Sequence, residues 1–380
     1  MNEGDLNATE LADRLDARIG RLREVAQAND VDAVIVTAMS NLLYLSNLRA
    51  SAGILVIGVQ DESLQLLVDF RYQTAASTLI EKQEAPPGLE IIPVVGSYEE
   101  ALGGLLDRAA VTRVGIEAEH MSVRQWQWLD RHAAAELVPL VEVVERLRMI
   151  KDDGELGTLR RAGRLLSEVV PDVLTLAARS RPELEIAQEI DRLVLEAGFE
   201  RMAFDTIVAS GPNSALPHAH PTARELSDGD LVILDFGGVL DGYSVDISRT
   251  VSVGRANAAC SRLYSAVEEA QLAAIEKVCP GVTVEEVDGA ARTVLDRYGL
   301  GEAFGHSTGH GLGLDVHELP RVGSIRPGVK SEMLVCGMVF TIEPGVYVPG
   351  LGGVRIEDDV VVSGSGVELL TYGERGLVVV

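Results

Sequence analysis

The stretch from Asp230 to Val253, DLVILDFGGVLDGYSVDISRTVSV, constrains the fold more than any other part of the chain. It reads as two strands rich in Val, Ile and Tyr, joined at Asp241-Gly242, a dipeptide suited to a two-residue hairpin turn. That turn sets the register and places Asp235 opposite Ser248. Asp246, two residues before Ser248, then shares the face of Asp235, because strand side chains alternate. Diagonal neighbours of this kind sit roughly 7–8 Å apart at the backbone, so both side chains reach one point. Two carboxylates on one face of a half-buried hairpin repel each other and are costly to desolvate. A cation is the simplest relief.

Three further segments place polar residues inside apolar text. His306-Ser-Thr-Gly-His310-Gly-Leu-Gly-Leu-Asp-Val-His317-Glu318 is too rich in glycine for a helix and reads as an irregular strand that admits close backbone approach. His306 and His310 share strand parity, and His317 joins them only if a bulge intervenes. MVFTIEPGVYV (Met338–Val348) and GVRIEDDVVV (Gly353–Val362) flank Pro349-Gly-Leu-Gly-Gly353, and a hairpin centred on Gly350 sets Glu343 against Glu357. An unpaired Glu343 in so apolar a strand would be expensive. Arg355 shares a strand face with Glu357 and could pair with it or serve a ligand beside it. Four carboxylates and one histidine make an oxygen-rich site, and two divalent cations balance its four negative charges. Such hard donors suit Mn²⁺, Co²⁺, Fe²⁺ or Zn²⁺ and do not choose among them.

The rest of the chain reads as a frame for these segments. Residues 1–150 alternate helix-like and strand-like text: a helix over Leu11–Asn29, then Asp32–Thr37, the apolar run at Asn41–Leu45, Ala52–Val59, Leu64–Val68, Glu90–Val95 and Arg113–Ile116 as strand-like runs, with a helix over Ser97–Ala109. This is an α/β pattern. VERLRMIKDDGE, from Val144, reads as the junction to a second domain, whose first helix runs to about Ala178. Ser180-Arg-Pro-Glu183 reads as a capping box before a helix that stops at Gly198, and Thr283-Val-Glu-Glu286 as another before a helix that stops at Gly299. Long helix, capped helix, then antiparallel strands occur twice, which predicts a pseudo-symmetric α+β core.

A net charge of −25 over 380 residues argues against a nucleic-acid surface. No apolar run is long enough to span a membrane, and the acidic start MNEGDLNATELADR has no apolar signal core. Cys260, Cys279 and Cys336 show no paired spacing and read as reduced core thiols of a cytoplasmic protein.

DFGG…GY…DISRT, HSTGHGLGLDVHE, FTIEPGVYV and GGVRIEDDV resemble the signature segments of the pita-bread metallopeptidases, in the branch of prolidase and aminopeptidase P. RMIKDDGELGTLRRA is similar to the opening of that catalytic domain, and DAVIVTAMSNLLYLSNL to the creatinase-like N-terminal domain. The resemblance implies a creatinase-like α/β domain over 1–150 and an α+β pita-bread domain with a pseudo-two-fold repeat over 151–380. It implies two metal ions, Mn or Co first and Zn or Fe as alternatives, on Asp235, Asp246, His310, Glu343 and Glu357, with Asp246 and Glu357 bridging. It further implies Glu343 as the proton carrier, His218 and His317 beside the reacting carbonyl, His306 in the pocket, and Arg321 or Arg355 for the substrate carboxylate. The activity implied is hydrolysis of Xaa-Pro dipeptides by a homodimer, with aminopeptidase P action on longer peptides as the alternative. A metal-free creatinase-type hydrolase or a binding protein on the same fold is a second alternative, against which the intact five ligands argue.

Overall fold

The computed structural model describes residues 8–324 and 331–380; the first residues of the acidic start lie outside them. The chain divides into two compact units, Met1–Arg148 and Met149–Val380.

The first unit holds, in order, α1 (Ala8–Ala28), β1 (Ala33–Val36), α2 (Met39–Ser46), β2 (Ile54–Gly58), β3 (Leu64–Val68), α3 (Phe70–Glu81), β4 (Glu90–Pro93), α4 (Tyr98–Ala109), β5 (Arg113–Glu117), α5 (Val123–His132), β6 (Glu136–Leu140) and α6 (Glu145–Arg148). The six strands form one mixed sheet, ordered β4-β3-β2-β1-β5-β6. α1 buries Leu15, Ile19, Leu22 and Ala26, the spacing of one helical face. The apolar run at Asn41–Leu45 is not a strand but the middle of α2. A distant carboxylate fixes its start: buried Glu117 accepts from the backbone N–H groups of Thr37 (2.5 Å) and Ala38 (2.8 Å) and from Asn41 Nδ2 (2.7 Å). An anion at a helix N-terminus offsets the unpaired amide dipoles there.

The second unit opens with α7 (Asp153–Leu176), capped by a reciprocal Asp152–Glu155 box, and α8 (Glu183–Glu196). Then come β7 (Arg201–Met202), β8 (Ile207–Ser210), a 3₁₀ turn at Gly211–Ala215, β9 (Leu231–Leu240), β10 (Tyr243–Ser252), α9 (Ala258–Lys277) and α10 (Val284–Arg297). The chain ends with β11 (Gly309–Gly311), β12 (Glu318–Val322), β13 (Val339–Ile342), β14 (Gly345–Val348), β15 (Gly352–Arg355), β16 (Glu357–Ser363), β17 (Gly366–Leu369) and β18 (Val378–Val379). The order of the main sheet is β12-β11-β13-β16-β10-β9-β7, with β8, β17 and β18 attached to β9, β16 and β10. α7 and α8 share one buried cluster with β9 and β10. α9 and α10 share another with β13 to β16, so the two helix pairs occupy equivalent places on the strands.

The β9–β10 hairpin has the expected register, with Ser248 opposite Asp235. Both turn residues have positive φ, Asp241 at 50° and Gly242 at 86°, as a hairpin turn that follows the strand twist requires. β14–β15 and β13–β16 continue a single register, Gly345 against Arg355 and Ile342 against Asp358. Glu343 and Glu357 stand where one ladder gives way to the other. There the Glu343 N–H leaves the ladder and donates to the Thr308 carbonyl at 2.7 Å.

Two local expectations are corrected. The Thr283–Glu286 capping box is present, but Ser180 does not cap α8: its φ is 63°, the N-cap is Pro182, and the Glu183 carboxylate is engaged elsewhere. Cys260 is buried, whereas Cys279 and Cys336 are exposed and are not core thiols. Among the described residues no helix is long and apolar enough to cross a membrane.

The glycines of β11 are there for space. A Cβ on Gly309 would fall on the Thr341 carbonyl oxygen, and one on Gly311 on that of Leu319. Gly309→Ala is therefore expected to cost about 1–3 kcal/mol through forced separation of β11 from β13. Urea unfolding measures this, and an unchanged midpoint would show that the strands are not packed so closely.

Candidate metal centre

The five residues expected to bind metal come from separate strands and meet. Asp235 lies on β9, Asp246 on β10 and His310 on β11; Glu343 follows β13, and Glu357 begins β16. Asp246, His310 and Glu357 each present a ligand atom, all within 4.8 Å of one another. Glu343 Oε1 lies 3.5 Å from His310 Nε2. Glu357 Oε2 accepts a 2.6 Å hydrogen bond from Ser248 Oγ. Asp235 Oδ2 is joined directly to the Arg355 guanidinium, whose Nε reaches Ser248 Oγ at 3.2 Å. Arg355 therefore pairs with Asp235 and not with Glu357, because its side chain crosses to β9.

Strand alternation in apolar text buries these acids, and their electrostatics follow. Burial first, then the charges of Glu357 and Asp235, hold the Asp246 carboxyl well above its ordinary range. Burial and the neighbouring Glu357 raise Glu343 likewise, and burial with Asp235 pushes Glu357 up to about 8. Asp235 Oδ1 and Asp246 Oδ1 are buried without a hydrogen-bond partner. Carboxylate oxygens that repel one another, two of them unsatisfied, beside one imidazole form a donor set that fits hard divalent cations. His310 fits the same purpose. Burial, then His317, lowers its pKa to about 4, and its Nδ1 lies 3.1 Å from the Gly311 carbonyl. A proton on Nδ1 leaves the Nε2 lone pair facing the carboxylates.

The other expected residues surround this cluster. A bulge between His310 and Gly311 brings the ring centroids of His310 and His317 to 4.2 Å. His218 and His317 are exposed; desolvation, then the neighbouring His218, lowers the His317 pKa, and burial with Arg355 and His218 nearby lowers that of His306 to about 4. His306 sits at the end of a relay: Arg355 Nη1 donates to Tyr347 Oη (2.9 Å), which lies 3.0 Å from His306 Nε2, while His306 Nδ1 faces the Ser307 carbonyl at 2.8 Å. Arg321, opposite His310 on β12, is exposed.

Three participants were not anticipated. Tyr347 joins Arg355 to His306. Asp359 Oδ2 accepts from the Asp246 N–H at 2.9 Å, and the acidic run Glu357-Asp358-Asp359 was its only sequence signal. Lys151 Nζ forms a buried 2.7 Å ion pair with Glu318, the residue after His317, and nothing local links the two positions.

The chain as a whole is similar to known proteins. Residues 157–364 match metallopeptidase family M24, and residues 18–150 match the creatinase/prolidase N-terminal domain. The chain is 33% identical over 366 residues to an Xaa-Pro dipeptidase of Pyrococcus horikoshii, covering 96% of this chain and 100% of that protein. The solved Xaa-Pro dipeptidase from Bacillus anthracis superposes with a TM-score of 0.90 at 33% identity, over 96% of this chain and 100% of that one. An X-Pro aminopeptidase from Thermotoga maritima superposes with a TM-score of 0.83 at 31% identity, over 95% and 99%.

The raised carboxyl groups give a signed prediction. A carboxyl whose pKa is higher in the folded state loses stability as pH climbs from its unfolded value toward its folded one. For Glu357 that window runs from about 4.5 to about 8. Chelator-treated protein is expected to lose thermal stability steadily across it. Added Mn²⁺ should raise the melting temperature more at pH 8 than at pH 5, where protons compete for the same oxygens. A melting temperature independent of pH and of Mn²⁺ would show that these acids do not form a cation site.

Proposed function

The chain belongs to metallopeptidase family M24, and from that premise we propose that it hydrolyses Xaa-Pro dipeptides with two divalent cations held by Asp235, Asp246, His310, Glu343 and Glu357. The observation that carries this is the meeting of those side chains in a buried group with unsatisfied Asp235 and Asp246 oxygens. Mn²⁺ or Co²⁺ is proposed as the ion, with Zn²⁺ and Fe²⁺ as alternatives. When bound, such ions acidify water and polarise a carbonyl.

The chain's own residues do the rest. Glu343, adjoining His310, takes the proton of the attacking water and delivers it to the proline nitrogen as the bond breaks. An Xaa-Pro bond is a tertiary amide without an N–H, so the site needs no acceptor for one. His218 and His317 donate to the carbonyl oxygen as charge develops on it. His306, oriented by Tyr347, lines the pocket. Arg355 directs four N–H bonds to Asp235, Ser248, Tyr347 and the Pro217 carbonyl. With its guanidinium so occupied, Arg355 acts on Asp235, and the substrate carboxylate falls to the exposed Arg321, whose planar fork suits it.

The likeness to the Thermotoga maritima X-Pro aminopeptidase supports a second reading, release of the residue before proline from longer peptides. Arg321 separates the two. Arg321→Ala should raise KM for an Xaa-Pro dipeptide about 10- to 100-fold, the loss of a charge-assisted pair, and should leave a longer Xaa-Pro-Xaa peptide little changed. Exclusive cleavage of the longer peptide by the unaltered protein would establish the aminopeptidase reading instead. A homodimer in the cytoplasm completes the proposal; sedimentation of the full chain and fractionation of cells test it.

Glu343→Ala is expected to lower kcat on an Xaa-Pro dipeptide by about 10²–10⁴-fold. Full activity in that variant would discard Glu343 as the proton carrier. Activity that survives exhaustive chelation would favour the creatinase-type alternative.

A further inference from the structure

The carboxylate of Glu183, at the start of α8, is fully buried and surrounded only by donors. Oε1 accepts from the Ser210 N–H (2.8 Å), Ser210 Oγ (2.6 Å) and Asn213 Nδ2 (3.1 Å). Oε2 accepts from Asn213 Nδ2 (3.0 Å), the Thr222 N–H (3.0 Å) and Thr222 Oγ1 (2.6 Å). One oxygen thus receives both ends of the segment from Asn213 to Thr222. Backbone bonds reinforce the closure, with Glu183 N–H donating to the Arg224 carbonyl and Leu184 N–H to that of Thr222, each at 3.0 Å.

What Glu183 closes is the loop that carries His218. Between the two anchors the chain is exposed at Leu216, His218 and His220, and its internal bonds are the short turns Leu216 N–H to Asn213 O and Ala219 N–H to Leu216 O. From the side of the metal centre, Arg355 Nη1 meets the loop at the Pro217 carbonyl (3.2 Å), the Gly353 N–H donates to Ser214 Oγ (2.8 Å), and Ala219 is buried in a small cluster with Ala209, Ile233 and Tyr347. These contacts hold Ser214 and Ala219, and the exposed turn between them that carries His218 also depends on how the ends of the loop are closed. We propose that Glu183 is a positioning residue that holds His218 over the reacting carbonyl, so that this acid on α8, away from the metal ligands, sets the rate through the loop. The inference rests on the role given above to His218.

Glu183→Gln tests it while keeping the volume. Its NH₂ would face donors in place of acceptors, so at least one anchor opens. Misplacement of a contacting group by about 1 Å costs on the order of 10²-fold in rate. We expect kcat/KM on an Xaa-Pro dipeptide to fall about 10- to 100-fold, amide exchange across 213–222 to rise, and bound Mn²⁺ to be unchanged. In a His218→Ala background Glu183→Gln should add no further loss, which a merely structural role would not produce. Losses that multiply would overturn the proposal, as would unchanged exchange across 213–222. If Glu183→Gln fails to fold, Asn213→Ala, which removes one donor shared by both oxygens, should show the same loss and the same lack of addition. His218→Ala at full rate would overturn the reading of His218 and the claim that Glu183 acts through it, while the exchange measurement separates that failure from a loop that Glu183 does not hold.

Discussion

Mutual repulsion among buried carboxylates is the constraint on which this catalytic unit is built. An apolar sheet that brings Asp235, Asp246, Glu343 and Glu357 together gains nothing from them unless something positive stands between them. Burial and like charge act in the same direction on Asp246, Glu343 and Glu357, and both favour the protonated forms. Protons and divalent cations are therefore alternative ways of relieving one stress. The fold supplies the remaining stability that keeps the acids in place whichever of the two is bound.

Part of that stability comes from the opposite side of the same strands. Arg249, on the face of β10 turned away from Ser248, donates to the carbonyls of both Ser248 (2.9 Å) and Glu357 (2.7 Å). Its Nη2 is paired with Asp358 at 2.7 Å, and Gln271 of α9 holds the other Asp358 oxygen at 2.7 Å. One guanidinium thus pins β10 to β16 at the residues that carry the site, where laddering of the two strands is short. Gly373 makes room for it, since a Cβ there would come within 3.1 Å of Arg249 Nη2. Alternation along Glu357-Asp358-Asp359 explains the division of labour: the outer two acids face the metal centre and the middle one faces the staple.

The hairpin and the β13–β16 register were legible because both rest on short-range rules, a two-residue turn and strict alternation. Asp235 opposite Ser248, and Glu343 beside Glu357, follow from counting. The α2 segment was misread as one more apolar run because its helical start depends on Glu117, far along the chain. Ser180-Arg-Pro-Glu183 misled for the converse reason. The spacing of a capping box is local, but Glu183 has better partners in Ser210 and Thr222, and a fully buried acid goes to the strongest donors within reach. The sequence leaves Arg355 either to Glu357 or to a ligand beside it, and neither choice reveals Asp235 as its partner, since two-residue spacing fixes a face and not how far a long side chain reaches.

That partner changes the charge balance of the site. Four carboxylates and two divalent cations sum to zero, and such a centre has no preference for an anion. Arg355, buried and tied to Asp235, adds one fixed positive charge that neither pH nor metal loading removes. That charge opposes an excess of acid to which Asp359, behind Asp246, also adds, and it does so in a low-dielectric pocket where a charge acts at several times its strength in water. A fixed positive charge there favours hydroxide over water beside Asp235. Within the proposed function, Arg355 serves the chemistry through Asp235, and the contact with the substrate carboxylate is assigned to Arg321.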